Sequence, residues 1–334
     1  MNKKILYWIV WMLGLGAALL VISVFSLCAG SVGMPIKKII SLILEGKSSA
    51  EYSILLDIRL PRIILGFAIG GALSLAGVIL QGMFRNPLVE PYTLGISGGA
   101  ALGVCLNIVL RLHRFWGVLT LPLFGFLGAI VVISLIYFLN IRKGILKMQG
   151  LLLTGVMLSF ISSSIIMLLM AVSRTEDLQG IIFWIMGSLE EPNWLLIKVA
   201  VIVSVLGLIV SYFFSLSLNA LSLGEEEARH LGVNTEKAKR LLFILASVLT
   251  GLSVSVCGVI GFVGLIVPHF VRSFVGSDNR ILLGSSFLAG ACFLILCDTL
   301  ARTIIAPLEL PVGVITGILG GSVFVYVLAK KTVS

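Results

Sequence analysis

Apolar runs of about 20 residues, separated by short polar intervals, recur from near residue 5 to near residue 329. At that length per crossing, the pattern predicts helical spans near 6–28, 61–82, 94–110, 117–139, 150–172, 194–217, 241–261, 265–275, 285–303 and 311–329. The eighth is too short to cross the hydrocarbon unaided. A half-span there must be lined by protein, because unpaired backbone groups cannot face lipid. One interval interrupts the pattern sharply. Between Leu218 and Arg240 stand Glu225, Glu226, Glu227, Arg229, His230, Glu236, Lys237 and Lys239, a cluster that belongs in water or against another protein. Ser222 followed by Glu225 has the form of a capping box, so a short helix is expected to start there. Gly232 is placed to close it in a left-handed turn, and Asn234 or Thr235 to cap the next helix.

Composition agrees with this pattern: 59% of the 334 residues are hydrophobic and 12% charged, where a soluble domain carries about 25% charge. The expectation is an all-α membrane protein forming one transmembrane domain over residues 1–334 that crosses its membrane many times. The net charge of +9 sits in short loops beside spans, where retention on the cytoplasmic side explains it without nucleic acid. With the Lys3 end inside, ten spans put both ends of the chain on that side. Arg142, Lys143, Lys147, Lys330 and Lys331 then fall inside too, whereas Lys37, Lys38, Lys47, Arg59, Arg62, Arg111 and Arg114 fall outside. Cys28, Cys105, Cys257, Cys292 and Cys297 lie in apolar surroundings without paired spacing, which signals neither zinc nor a disulfide framework. The first apolar run is longer than a signal-peptide core and reads as an uncleaved span.

Displacing the sequence by 181 positions aligns Gly70 with Gly251, Ser74 with Ser255, Gly77-Val78-Ile79 with Gly258-Val259-Ile260, Pro87 with Pro268 and Gly95 with Gly276. About two identities would arise by chance in such a stretch, so the excess signals an internal repeat. Its copies begin near 57 and 238, on spans five crossings apart, which makes the repeat inverted in the manner of many transporters. Small residues such as Gly66, Gly70, Gly71, Gly77, Gly313, Gly317, Gly320 and Gly321 are expected to serve close helix packing.

No phosphate loop, paired-histidine zinc helix or nucleophile elbow is present, so catalysis by this chain is not expected. Gln81, Asn107 and Asn140 read as interhelical hydrogen-bonding amides, and Glu176, Asp177, Glu190 and Glu191 as solvated charges around an interfacial helix. Two readings stand side by side for Arg59, Arg62 and Arg302. They are interfacial anchors, with Arg302 paired to Asp298 at i, i+4, or they form a basic collar that docks an acidic partner.

Several ordered motifs add a resemblance. These are Arg59-Leu-Pro-Arg62, Gly77-Val-Ile-Leu-Gln81, Arg85-Asn-Pro87-Leu-Val-Glu-Pro91, Leu94-Gly-Ile-Ser-Gly98, Leu223-Gly224 through Leu231-Gly232-Val233, Gly261-Phe-Val-Gly-Leu-Ile-Val-Pro268-His269, Asp298 to Arg302, and Glu309-Leu-Pro311-Val-Gly313. Through them the chain resembles the FecCD or BtuC-like permease subunits of bacterial ABC importers for ferric siderophores, haem and cobalamin. It departs at Asp278-Asn279-Arg280, where the family more often has Asp-His-Arg. The resemblance implies about ten transmembrane helices working in a homodimer, or a heterodimer with a second permease, embedded in membrane lipid. It also implies two cytoplasmic ATPase subunits, which would bind the ATP and Mg²⁺; this chain itself would carry no cofactor and no metal. The coupling surface for them would be Ser222, Leu223, Gly224, Glu225, Glu226, Glu227, Ala228, Arg229, Leu231 and Gly232 within the loop 218–240. Arg59, Arg62 and Arg302 would dock an extracytoplasmic substrate-binding protein, and the cargo implied first is a ferric siderophore. The rival from another class is an ion- or proton-coupled secondary transporter, which would need a buried ionisable relay at mid-span.

Overall fold

A computed structural model describes residues 3–30, 33–45, 50–142, 145–191 and 193–333. In chain order the helices are α1 (Lys3–Cys28), α2 (Ile36–Glu45), α3 (Ala50–Ser53), α4 (Leu60–Phe84), α5 (Ile96–Val109), α6 (Leu112–Trp116), α7 (Thr120–Asn140) and α8 (Met148–Val172). They continue as α9 (Thr175–Met186), α10 (Trp194–Phe213), α11 (Ser215–Leu223), α12 (Glu225–His230), α13 (Thr235–Cys257), α14 (Val263–Val275), α15 (Asn279–Thr303) and α16 (Val312–Val333). Strands β1 (Ile141–Arg142) and β2 (Ile145–Leu146) form a small antiparallel hairpin with Ile141 opposite Leu146. Among the described residues seven helices are long and apolar enough to cross a membrane, and three shorter apolar ones, α5, α14 and the first part of α16, stand beside them.

α4 is the central helix. Of its most apolar 18-residue window, 89% is buried, against none of the corresponding window of α1. With no hydrophobic drive between helices in lipid, such packing depends on close backbone approach. It is supplied where Gly70 meets the Gly290 carbonyl and Gly77 meets the Gly264 carbonyl, positions at which any side chain would collide with backbone.

Contacts fix the direction of each helix. Gly66 lies against Ile295, Gly70 against Gly290 and Gly71 against Phe287, so α4 and α15 are antiparallel. α1 runs with α15, from Lys4 beside Asp278 to Ser26 beside Thr299. The end of α13 lies at Gly187, whose neighbour Leu189 touches Gly66 at the start of α4, while Leu218 reaches Gly82 near the end of α4. α4 and α13 therefore run in opposite directions. One pole gathers Lys4, the β1–β2 hairpin, α11, α12 and Asp278; the other gathers Arg59, α9 and the α15–α16 connection. Lys47 and Lys143 lie outside the described residues. Most other cations of the second pole are neutralised by local acids: Lys38 pairs with Glu51, Arg111 with Asp177 at 3.0 Å and Arg114 with Glu176 at 3.9 Å. These pairs explain how a basic excess is tolerated on the face the charge rule disfavours.

The short eighth span is α14, a 13-residue helix of about 20 Å at 1.5 Å per residue. Its start is held by the loop after α4: Glu90 Oε1 accepts the Phe262 N–H at 2.5 Å, and Tyr92 Oη accepts the Ile260 N–H at 3.1 Å. The unwound segment between α13 and α14 is thus paired by protein, as backbone at membrane depth requires. Gln81 is a structural amide, donating to the carbonyls of Gly264 and Leu265 at 3.3 and 3.2 Å.

Candidate functional site

The charged interval divides into parts with different tasks. α11 belongs to the bundle, with Leu218, Ala220 and Leu221 buried. The expected capping box does not form. Ser222 lies in the last turn of α11, where its hydroxyl donates to the Asn219 carbonyl at 2.7 Å, and so does not stand at the N-cap of the following helix. Gly224 is the N-cap of α12 instead, at φ 147°, and a side chain there would strike the Glu227 carboxylate. The other two signals appear as expected. Gly232 is left-handed at φ 82°, and the Asn234 side chain accepts the Lys237 N–H at 3.0 Å to cap α13.

α12 is hung on α13 by a cation. Lys239 is 1% exposed and places Nζ 3.0 Å from Glu225 Oε2 and 2.7 Å from Glu236 Oε1. Glu236 Oε2 accepts the Leu146 N–H of β2 at 2.9 Å, while Lys239 Nζ donates to the Leu146 carbonyl at 3.4 Å. Arg229 adds a 3.2 Å bond to Thr235 Oγ1 and longer approaches, 3.9 Å each, to Glu225 and Glu236. One buried ammonium thus joins α12, the start of α13 and the hairpin between α7 and α8.

This network sorts the ten expected coupling residues. Gly224 and Ala228 are buried and Glu225 turns inward to Lys239, whereas Ser222, Leu223, Glu226, Glu227, Arg229, Leu231 and Gly232 remain exposed. Leu223 and Leu231 are each 64% exposed, an apolar pair beside two free carboxylates at the watery end of the molecule. From the sequence Lys239 was one charge of the interval, without a place among the ten coupling residues. Its spacing of three from Glu236 was the available signal.

At the opposite pole the three arginines are not an open collar. Arg59 and Arg62 sit on a helical run whose π-helical stretch, Ile54–Arg59, leads straight into α4. Both are buried, as is Arg302. Arg62 Nη2 lies 2.6 Å from Glu309 Oε2 and 3.1 Å from Glu190 Oε2, and its Nη1 lies 3.9 Å from Asp298 Oδ1. Arg302 donates to Asp298 Oδ2 at 2.9 Å and to Ser26 Oγ at 2.9 Å. Arg59 donates to the Leu27 carbonyl at 2.5 Å. The i, i+4 pair read from the sequence is present, and the fold adds Arg62 to it. A cavity of about 360 Å³ opens beside Arg62, Asp298, Glu190 and Glu309, where Glu190 and Glu309, not the guanidinium groups or Asp298, meet solvent.

The profile of the FecCD transport family matches residues 18–330. The chain belongs to that family. It is 38% identical over 319 residues to the hemin transport system permease protein HmuU of Yersinia pestis, covering 95% of each chain. It is 39% identical over 280 residues to the Fe(3+) dicitrate transport system permease protein FecD of Escherichia coli, covering 84% of this chain and 86% of that one. A solved inward-facing ABC transporter of metal-chelate type superposes with a TM-score of 0.84 at 31% identity, covering 97% of this chain and 99% of the other. The chain is accordingly an ABC importer permease, a multi-pass protein of the cytoplasmic membrane, and the ion-coupled alternative is set aside.

Proposed function

We propose that this permease, paired with a second permease chain, moves an iron chelate inward when two cytoplasmic ATPase subunits pull on its α12 surface. The observation that carries this reading is the suspension of α12 from buried Lys239, which leaves Leu223, Glu226, Glu227 and Leu231 facing outward from a rigid mount. A partner seated on that face would move α12, α13 and the β1–β2 hairpin together. Such a partner shifts the inward and outward states only as far as it binds them unequally, and a stiff mount keeps that difference from being lost locally. ATP and Mg²⁺ would be bound and consumed in the partner.

At the other pole, docking of a substrate-binding protein at Arg62 would proceed by exchange, its carboxylates replacing Glu190 and Glu309; Arg59 and Arg302 would support that site from below. The iron chelate, a ferric siderophore first, is favoured by relatives named for hemin and for ferric dicitrate. Relatives named for cobalamin and molybdate make cargo the point to measure. The test is to reconstitute the transporter with its ATPase and compare the wild type with Glu226→Ala/Arg229→Ala. Cargo-stimulated ATP hydrolysis and uptake should fall severalfold while the folded protein persists. Unchanged stimulation would reject the coupling surface, and charge reversal at Arg62 that leaves binding-protein docking intact at low salt would reject the exchange site.

A further inference from the structure

A cavity of about 510 Å³ lies at the same pole as α12, between the end of α4, α14, the start of α15 and α16. Arg85, His269 and Arg272 all line it, and among its described lining residues there is no aspartate or glutamate. This separates it from the cavity at Arg62, where three carboxylates meet one guanidinium. Arg272 is held in place, donating through Nη2 to Gln81 Oε1 at 3.1 Å, with Gln81 itself anchored on α14. Arg85 caps α4 in a left-handed conformation at φ 51° and is exposed.

The cavity is graded along the membrane normal. Ser222 and Ser277, both exposed, form its watery end, next to the coupling surface, and Asn279 there is buried. Val323 and Phe324 form its deeper wall, some 16 Å along α16 from Val312 at 1.5 Å per residue. Phe270 and Val323 are 54% and 44% exposed, so within the single chain the deep part presents uncovered apolar surface. A free anion would use the basic end and leave the apolar wall idle. An anionic phospholipid uses both, because arginine forks match phosphate oxygens and basic pockets between helices on the cytoplasmic side concentrate anionic headgroups. We propose that this cavity binds one anionic phospholipid of the inner leaflet, its phosphate between Arg85 and Arg272 and an acyl chain along Phe270 and Val323.

The test is native mass spectrometry of the full-length protein in mild detergent, titrated with phosphatidylglycerol or with phosphatidylcholine of the same chains. One phosphatidylglycerol should be retained per chain, at least about fivefold more tightly than phosphatidylcholine, and Arg85→Gln should weaken it by about the same factor. Val323→Trp, which fills the apolar part and leaves every charge in place, should also expel the lipid, and keeps the proposal testable if Arg85→Gln does not fold. Equal retention of the two lipids, or phosphatidylglycerol binding untouched by both variants, would overturn it. So would inorganic phosphate stabilising the protein as well as the lipid does, which would mark a free-anion site. Loss of ATPase-subunit association in Arg85→Gln with lipid retention unchanged would assign the basic patch to an acidic protein segment instead.

Discussion

Arg62 and Lys239 are both buried cations at opposite poles, each facing more than one carboxylate, yet they are built differently. Arg62 draws its partners from three separated parts of the chain, Glu190, Asp298 and Glu309. Lys239 draws its acids from nearby, at Glu225 and Glu236, and reaches farther only to the Leu146 carbonyl. The first arrangement ties helix ends that folding alone brings together; the second fastens a short helix to the span that follows it. Asp298 is almost inaccessible, with a side chain 6% exposed, whereas Glu225 and Glu236 keep 39% and 23%. At the Arg62 pole it is Asp298 that has no water to fall back on, since Glu190 and Glu309 keep 70% and 42% exposure, whereas both acids of the Lys239 pole can turn outward.

That difference orders the expected effects. Asp298→Ala takes from buried Arg302 the carboxylate it holds at 2.9 Å and should cost about 3–5 kcal/mol, read as a large drop in thermal unfolding temperature in detergent. A loss below about 1 kcal/mol would break the comparison, since it would mean that the arginines find water as easily as the glutamates do. Lys239→Met should cost less, about 1–2 kcal/mol, because Glu225 and Glu236 can turn to solvent. Its main effect should be loose attachment of α12, measured as faster hydrogen exchange in 225–235. Ser26→Ala removes one hydroxyl that accepts from Arg302 and should cost about 1 kcal/mol in the same unfolding assay. Glu226→Ala, on the free face of α12, should stay within about 0.5 kcal/mol, which makes any loss of ATPase stimulation a statement about contact and not about folding.

The smallest effect is one of pH and has opposite signs at the two poles. Asp278, before α15, is held below its ordinary value of 3.8 chiefly by hydrogen bonding with Arg280. Its folded pKa lies below the unfolded one, so its contribution is fully present above about pH 4 and is lost as pH falls toward the folded value. Glu191, in the loop after α9, is pushed up by burial, which outweighs the N–H it accepts from Asn193. Its folded pKa lies above the unfolded value, so it weakens the fold at neutral pH and that penalty is relieved on acidification. Asp278→Asn should flatten the acid side of a stability profile, and Glu191→Gln should raise the neutral plateau slightly. A steeper acid limb in Asp278→Asn would contradict the assignment.

Much of the fold was legible because lipid imposes one rule on every span. The apolar runs locate the ten membrane helices to within a few residues in most cases, and the short run at 265–275 betrays α14 by its length. Gly232 and Asn234 were readable because a left-handed turn and an N-cap are local matters. The capping box at Ser222 failed for a local reason of another kind: helix α11 runs through Ser222, and a serine inside a helix bonds back to its own turn. Glu90 was hidden because its acceptor role depends on a backbone N–H 172 positions away. The arginine motif could be recognised from its spacing, but its burial could not, since the acids around Arg62 come from distant parts of the chain, at Glu190, Asp298 and Glu309.

The chain's own composition and periodicity thus determined that this is a helical membrane protein whose densest charged interval lies in water, because so many charges side by side cost too much in hydrocarbon. What Leu218–Arg240 and the three arginines do depended on which side chains arrive from elsewhere. Tertiary structure turned Glu225 inward and left Glu226 outward, and it closed acids over Arg62. Charge burial is settled by neighbours in space, and in a bundle of this size those neighbours are seldom neighbours in sequence.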